Sequence, residues 1–192
     1  MAQKRKEEDG RKLRGEENRR RIVEAMLDIT RSGITVPSAA LIAEKAGVGV
    51  RTVFRHFEEM DTLYSEMAEQ IGAHVLPVVM APYTAKTWRG RLDELFERRF
   101  SAFEEILPLK VAGDHYRFRS AFLMEEYERY LKLERDTLDA VLPEKIKKDR
   151  KLAEALLMLA SFQMWRQLRQ DQRLTVQETR NTLKFTIERL LD

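Results

Sequence analysis

Between Gly33 and Phe57 the chain reads GITVPSAALIAEKAGVGVRTVFRHF, and the end of that stretch gathers side chains suited to one kind of chemistry. Arg51 and Arg55 carry forked guanidinium groups, Thr52 a hydroxyl, His56 an imidazole and Phe54 an aromatic face. A guanidinium can donate in parallel to O6 and N7 of guanine, and hydroxyls and imidazoles can reach phosphates. Arg51 is the candidate for base readout. Phe54 has no hydroxyl, so it offers van der Waals contact to a sugar or a thymine methyl rather than a hydrogen bond to phosphate.

Such side chains are useful only if a rigid element holds them out together, and the flanking residues supply one. Ser38 suits a helix N-cap, because its hydroxyl can accept from the free N–H groups of the next turn. Leu41, Ile42, Ala43 and Ala46 follow, small enough for a second helix to cross closely. Gly47 ends that helix, since glycine takes the left-handed C-terminal turn without steric cost. Val48 plugs the corner, Gly49 restarts the chain, and Val50 to His56 form a second helix with Val53 and Phe57 inward. This is the division of labour of a helix-turn-helix that lays its second helix in a major groove. The residues expected at the duplex are Ser38, Gly49, Val50, Arg51, Thr52, Phe54, Arg55 and His56.

The segment resembles the DNA-binding signature of TetR-family transcriptional regulators. The residues that carry the resemblance are Gly33, Ser38, Ile42, Ala43, Ala46, Gly47, Val48, Thr52, Val53, Phe54, His56, Phe57 and Leu63. The family has I-A-x-x-A-G-V, a small polar residue, then an aromatic pair around x-H-F; here the string is IAEKAGVGVRTVFRHF. Two positions depart from it. Gly49 stands where the family commonly has a capping Ser, and Met60 where it commonly has a phosphate-binding Lys. The resemblance implies an all-α fold: an N-terminal three-helix helix-turn-helix domain followed by a helical ligand-binding and dimerisation domain. It also implies a homodimeric repressor on a double-stranded DNA operator, released by a small effector that tilts the helix after Asp61.

Composition bounds the alternatives. At 192 residues with 43% hydrophobic and 35% charged side chains, 8 Gly and 5 Pro, the chain can bury a sizeable core and suits a mostly helical protein. The absence of Cys excludes disulfides and thiolate metal sites and suits the cytoplasm. No apolar run approaches the roughly 20 residues of a membrane span, and no apolar signal core opens the chain. Residues 1–57 carry 13 Lys and Arg against 8 Asp and Glu, whereas residues 58–192 carry 22 against 24. The positive excess therefore sits with the helix-turn-helix, where a polyanion would meet it.

Residues 1–15 are highly charged and read as a disordered basic tail. Its Lys and Arg suit either a DNA-following arm or a solubilising tail. Residues 16–60 make the helix-turn-helix domain, with a first helix over 16–32 that buries Ile22, Met26 and Ile29. Arg19, Arg20 and Arg21 can touch phosphates or solvent equally well. Residues 61–192 form the helical effector-binding and dimerisation domain. Its helices are expected from Asp61 (kinked or ended by Pro77 and Pro82), over 87–107 with a break at Pro108 and Gly113, and then over 115–142, 150–170 and 175–191. The three histidines lie far apart, and neither a zinc spacing nor a P-loop, GxGxxG or GxSxG string occurs. No cofactor or metal is expected, and the chain does not read as an enzyme. The competing reading is a helical interaction module, or an enzyme with an appended DNA-binding head.

Two further expectations concern the body. Phe96, Phe100, Phe103, Phe118, Phe122, Met158, Phe162 and Trp165 fall at helical spacing and suit either plain core or the walls of an apolar effector pocket, with Arg98, His115 or Arg119 as polar anchors. Leu156, Leu159, Trp165, Leu183, Ile187 and Leu190 on the last two helices exceed what one pair of helices can cover. A two-fold four-helix bundle would bury the surplus.

Overall fold

The computed structural model describes residues 2–34, 36–56 and 60–192, without the side chains of residues 2–12, His56, Met60 and Arg119. The regular structure of the described residues is helical throughout, as expected, with no strand. Its contacts sort the chain into two units: Met1–Gly72 with Pro108–Met124, and Ala73–Leu107 with Glu125–Asp192.

The first unit is built on α1 (Ala2–Arg31), α2 (Ala39–Ala46) and α3 (Val50–His56), with the first part of α4 (Met60–Val79), the end of α5 (Trp88–Tyr116) and the start of α6 (Ala121–Asp139). Ile22, Val23, Met26 and Ile29 of α1, Ile42, Ala43 and Ala46 of α2, Val53 of α3, and Leu63, Tyr64, Met67 and Ile71 of α4 are all buried. Each large side chain so buried contributes about 1.5–3 kcal/mol. Both corners of the head close in the same way. Gly33 (φ 96°) donates to the Thr30 carbonyl at 3.0 Å while Ile34 donates to Ile29 at 3.3 Å. Gly47 (φ 64°) donates to Glu44 at 3.1 Å while Val48 donates to Ala43 at 3.0 Å. These are Schellman closures, and the left-handed residue in each is the glycine that tolerates it. α1 extends back to Ala2, through the stretch expected to form a tail.

The second unit contains the bulk of α5 and α6, then α7 (Glu144–Lys148), α8 (Arg150–Leu159), α9 (Phe162–Arg166), a π-helical turn (Gln167–Asp171) and α10 (Val176–Leu191). α10 begins at Val176, capped by Thr175, the residue expected to start it. The Thr175 hydroxyl accepts from the Glu178 N–H at 3.2 Å, and the Glu178 carboxylate accepts from the Thr175 N–H at 2.8 Å. Those bonds hold the Glu178 carboxyl below its usual pKa.

Further boundaries differ from the expectation. α5 runs unbroken through Pro108 and Gly113, and it is the division between units that falls at Leu107–Pro108. The helix expected from residue 115 begins instead at Ala121, after a 3-10 turn at Arg117–Arg119, because Ser120 caps it by accepting from the Leu123 N–H at 3.0 Å. The stretch 150–170 is not one helix: it breaks at Ala160–Ser161.

A buried polar hub sets that last break. Arg99, 3% exposed, donates to the Ala160 carbonyl at 3.0 Å, to the Thr137 hydroxyl at 2.6 Å and to the Glu134 carbonyl. The Glu134 carboxylate, also buried, accepts from the Phe162 N–H at 2.8 Å, and Ser161 accepts from Met164 at 3.3 Å. Two free N–H groups at the start of α9 thus find acceptors. Desolvation holds the Arg99 pKa below its ordinary value, partly offset by Glu134. Burial raises that of Tyr130 beside the same carboxylate.

Candidate nucleic-acid interface

Ser38 caps α2 as expected: in extended backbone (φ −75°, ψ 152°), its hydroxyl accepts from the Leu41 N–H at 3.2 Å. α2 packs on α1 and carries α3 across the Gly47 corner. Arg21, not singled out as structural, reaches over this corner and donates to the Gly47 carbonyl at 3.1 Å. A guanidinium whose target is a backbone carbonyl 26 residues on leaves no local sequence signal.

Gly49 starts α3 without a side-chain cap. Its carbonyl accepts from Thr52 at 2.8 Å and Val53 at 3.3 Å. Of the α3 side chains described, only Val53 is buried. Arg51 and Arg55 are exposed, Thr52 is half-buried, Val50 is 42% exposed and Phe54 58% exposed. His56 ends the helix. Phe57, expected to point inward, lies outside the described residues.

The cations of this unit divide by partner. Arg19 pairs with Glu66, Arg20 with Glu17 at 2.8 Å, and Lys45 with Asp28 at 3.5 Å. The hydrogen bond from Arg20 lowers the Glu17 pKa. Arg51 and Arg55 have no ion-pair partner among the described residues, so a cationic, partly apolar face is presented outward.

The residues expected to line a pocket separate. Phe96, Phe100, Phe103, Phe162 and Trp165 are buried in the second unit and pack on one another. Phe100 stacks on Trp165 at 5.0 Å, Phe96 on Phe100 at 5.9 Å, and Phe103 meets Phe162 edge-on at 5.8 Å. Glu104 fixes the indole by accepting from Trp165 Nε1 at 2.7 Å and from Arg169 Nε at 2.8 Å. Met158 is 53% exposed; in the first unit Phe118 is 75% exposed and Phe122 half-buried. Arg98 donates to Pro82 at 2.9 Å and pairs with Glu94 at 3.0 Å, so it ties down the 80–87 loop. His115 is exposed, edge-on to Tyr116 at 5.0 Å, and the Arg119 side chain is outside the description. Among the described residues no group of three or more His, Cys, Asp or Glu could hold a metal ion. None of their helices is long and apolar enough to cross a membrane.

The fold is similar to that of two crystallised proteins. The chain superposes on the crystal structure of a transcriptional regulator from Rhodococcus sp. RHA1 with a TM-score of 0.68 at 19% identity, covering 90% of this chain and 95% of that one. It is similar also to a putative transcriptional regulator from Streptomyces coelicolor A3(2), with a TM-score of 0.53 at 21% identity, over 90% and 97% of the two chains. No family model and no curated protein sequence matches.

Proposed function

We propose that the protein is a sequence-specific DNA-binding transcriptional regulator of the TetR type, acting through α3. One observation carries the reading: beyond a glycine-closed corner, α3 buries Val53 and holds Arg51, Phe54 and Arg55 outward, both arginines without an ion-pair partner among the described residues. A helix with that face meets what a major groove offers, guanine acceptors and phosphates within reach of forked donors. The regulators that share the fold support it, as does the positive excess of residues 1–57.

In this reading Arg51 pairs with a guanine, Arg55, Thr52 and His56 hold backbone or base edges, and Ser38 and Gly49 bring α2 and the start of α3 to the phosphates. The protein acts as a repressor and a homodimer, and an apolar effector releases it; these finer features rest on the resemblance of IAEKAGVGVRTVFRHF to the family. Selection of duplexes from a random pool, followed by gel-shift titration, tests the reading. Arg51→Ala should weaken the selected duplex by roughly 1–3 kcal/mol and relax preference at one base pair. An unchanged affinity would remove Arg51 from the interface.

A further inference from the structure

α3 carries a second stripe beside its arginines. Val50 and Phe54 stand four residues apart, 42% and 58% exposed, so they are neighbours on one side of the helix. Arg51 and Arg55 make the parallel pair, rotated by one residue. Large apolar side chains on a solvent-facing helix call for an apolar contact. The cationic stripe alongside, unpaired among the described residues, identifies the occupant as a polyanion that also carries apolar groups. In a major groove the one methyl on a base edge is the thymine 5-methyl.

Resting on the DNA reading above, we infer that the Val50–Phe54 stripe reads thymine methyl groups and makes this protein a methyl-dependent reader of thymine beside guanine. Residues four apart on a helix are about 6 Å apart along its axis, and stacked bases rise about 3.4 Å, so the stripe spans about two base pairs. The half-site therefore holds thymine within about two base pairs of the guanine met by Arg51. Phe54, without a hydroxyl, brings no hydrogen bond to a phosphate, which leaves its ring for the groove.

The test replaces thymine by deoxyuridine in the selected duplex, which removes the methyl and keeps the base pair. Full-length wild type should lose about four-fold in affinity per contacted methyl, the worth of one buried methyl-sized group. Phe54→Ala should bind the thymine duplex more weakly and discriminate it from the deoxyuridine one less than wild type does, with Val50 keeping the remainder, and Phe54→Leu should lose less. Phe54 is exposed, and circular dichroism checks that both variants fold. Equal wild-type affinity for the two duplexes overturns the methyl reading and leaves DNA recognition standing. So does a Phe54→Ala variant that weakens both duplexes yet discriminates them as strongly as wild type, which assigns the ring to the sugar. A wild type that retains no duplex from the pool overturns the DNA reading and the methyl reading with it.

Discussion

Gly47 does at the residue scale what no other side chain does as cheaply. Its left-handed backbone closes α2 and aims α3, and a Cβ there would press on the Arg21 guanidinium. The guanidinium can swing aside, but the backbone strain of a non-glycine residue stays. Gly47→Ala should therefore cost about 1–2 kcal/mol of stability, read from urea unfolding. Tyr64 shows the opposite economy. It is 2% exposed, tilted against Tyr116 at 5.5 Å, and its hydroxyl has no hydrogen-bond partner among the described residues. Burial, with a smaller contribution from Tyr116, raises its pKa well above the usual tyrosine range. The raised folded value means that this stability is complete below the unfolded tyrosine pKa of about 10 and is lost as pH climbs above it. Tyr64→Phe should raise stability by about 1 kcal/mol near neutrality and flatten the alkaline decline. A variant less stable than wild type would mean that the hydroxyl is satisfied.

At the scale of elements, what was legible in the sequence was what is decided locally. Ser38, Gly47 and the Thr175–Glu178 box each act within a few residues of themselves, so their helix ends could be read from the string. The break at Ala160–Ser161 could not. The apolar period runs on through it, and the groups that hold it open are Arg99, 61 residues from Ala160, and Glu134, 28 residues from Phe162. Pro108 misled in the other direction: α5 continues past it unbroken, and what changes there is the unit to which the helix's residues belong. The same hub gives a test. Arg99→Leu strips one charge from a buried polar cluster and removes the side-chain donor to the Ala160 carbonyl, and should cost about 3–5 kcal/mol. A loss under 1 kcal/mol would show that the break does not depend on Arg99.

At the scale of the molecule, the last helices do leave large apolar side chains exposed, but of the six residues the sequence indicates only Leu190 is among them. Leu156, Leu159, Trp165, Leu183 and Ile187 fill the protomer's own core; Met158, Phe185 and Leu190 are the ones left exposed, at 53%, 59% and 39%. A homodimer through α8 and α10 would cover them. Light scattering at micromolar concentration should give about 45 kDa, twice the 22.6 kDa of one chain, and Phe185→Asp should lower it. A single-chain mass for wild type would refute that assembly. The claim on which all of this depends is that α3 recognises a DNA sequence. Fluorescence anisotropy at about 0.15 M salt, comparing a duplex selected from a random pool with a scrambled duplex of the same composition, measures it directly. The selected duplex should bind about a thousand-fold tighter or more; equal affinity for the two, or no binding to either, would contradict it.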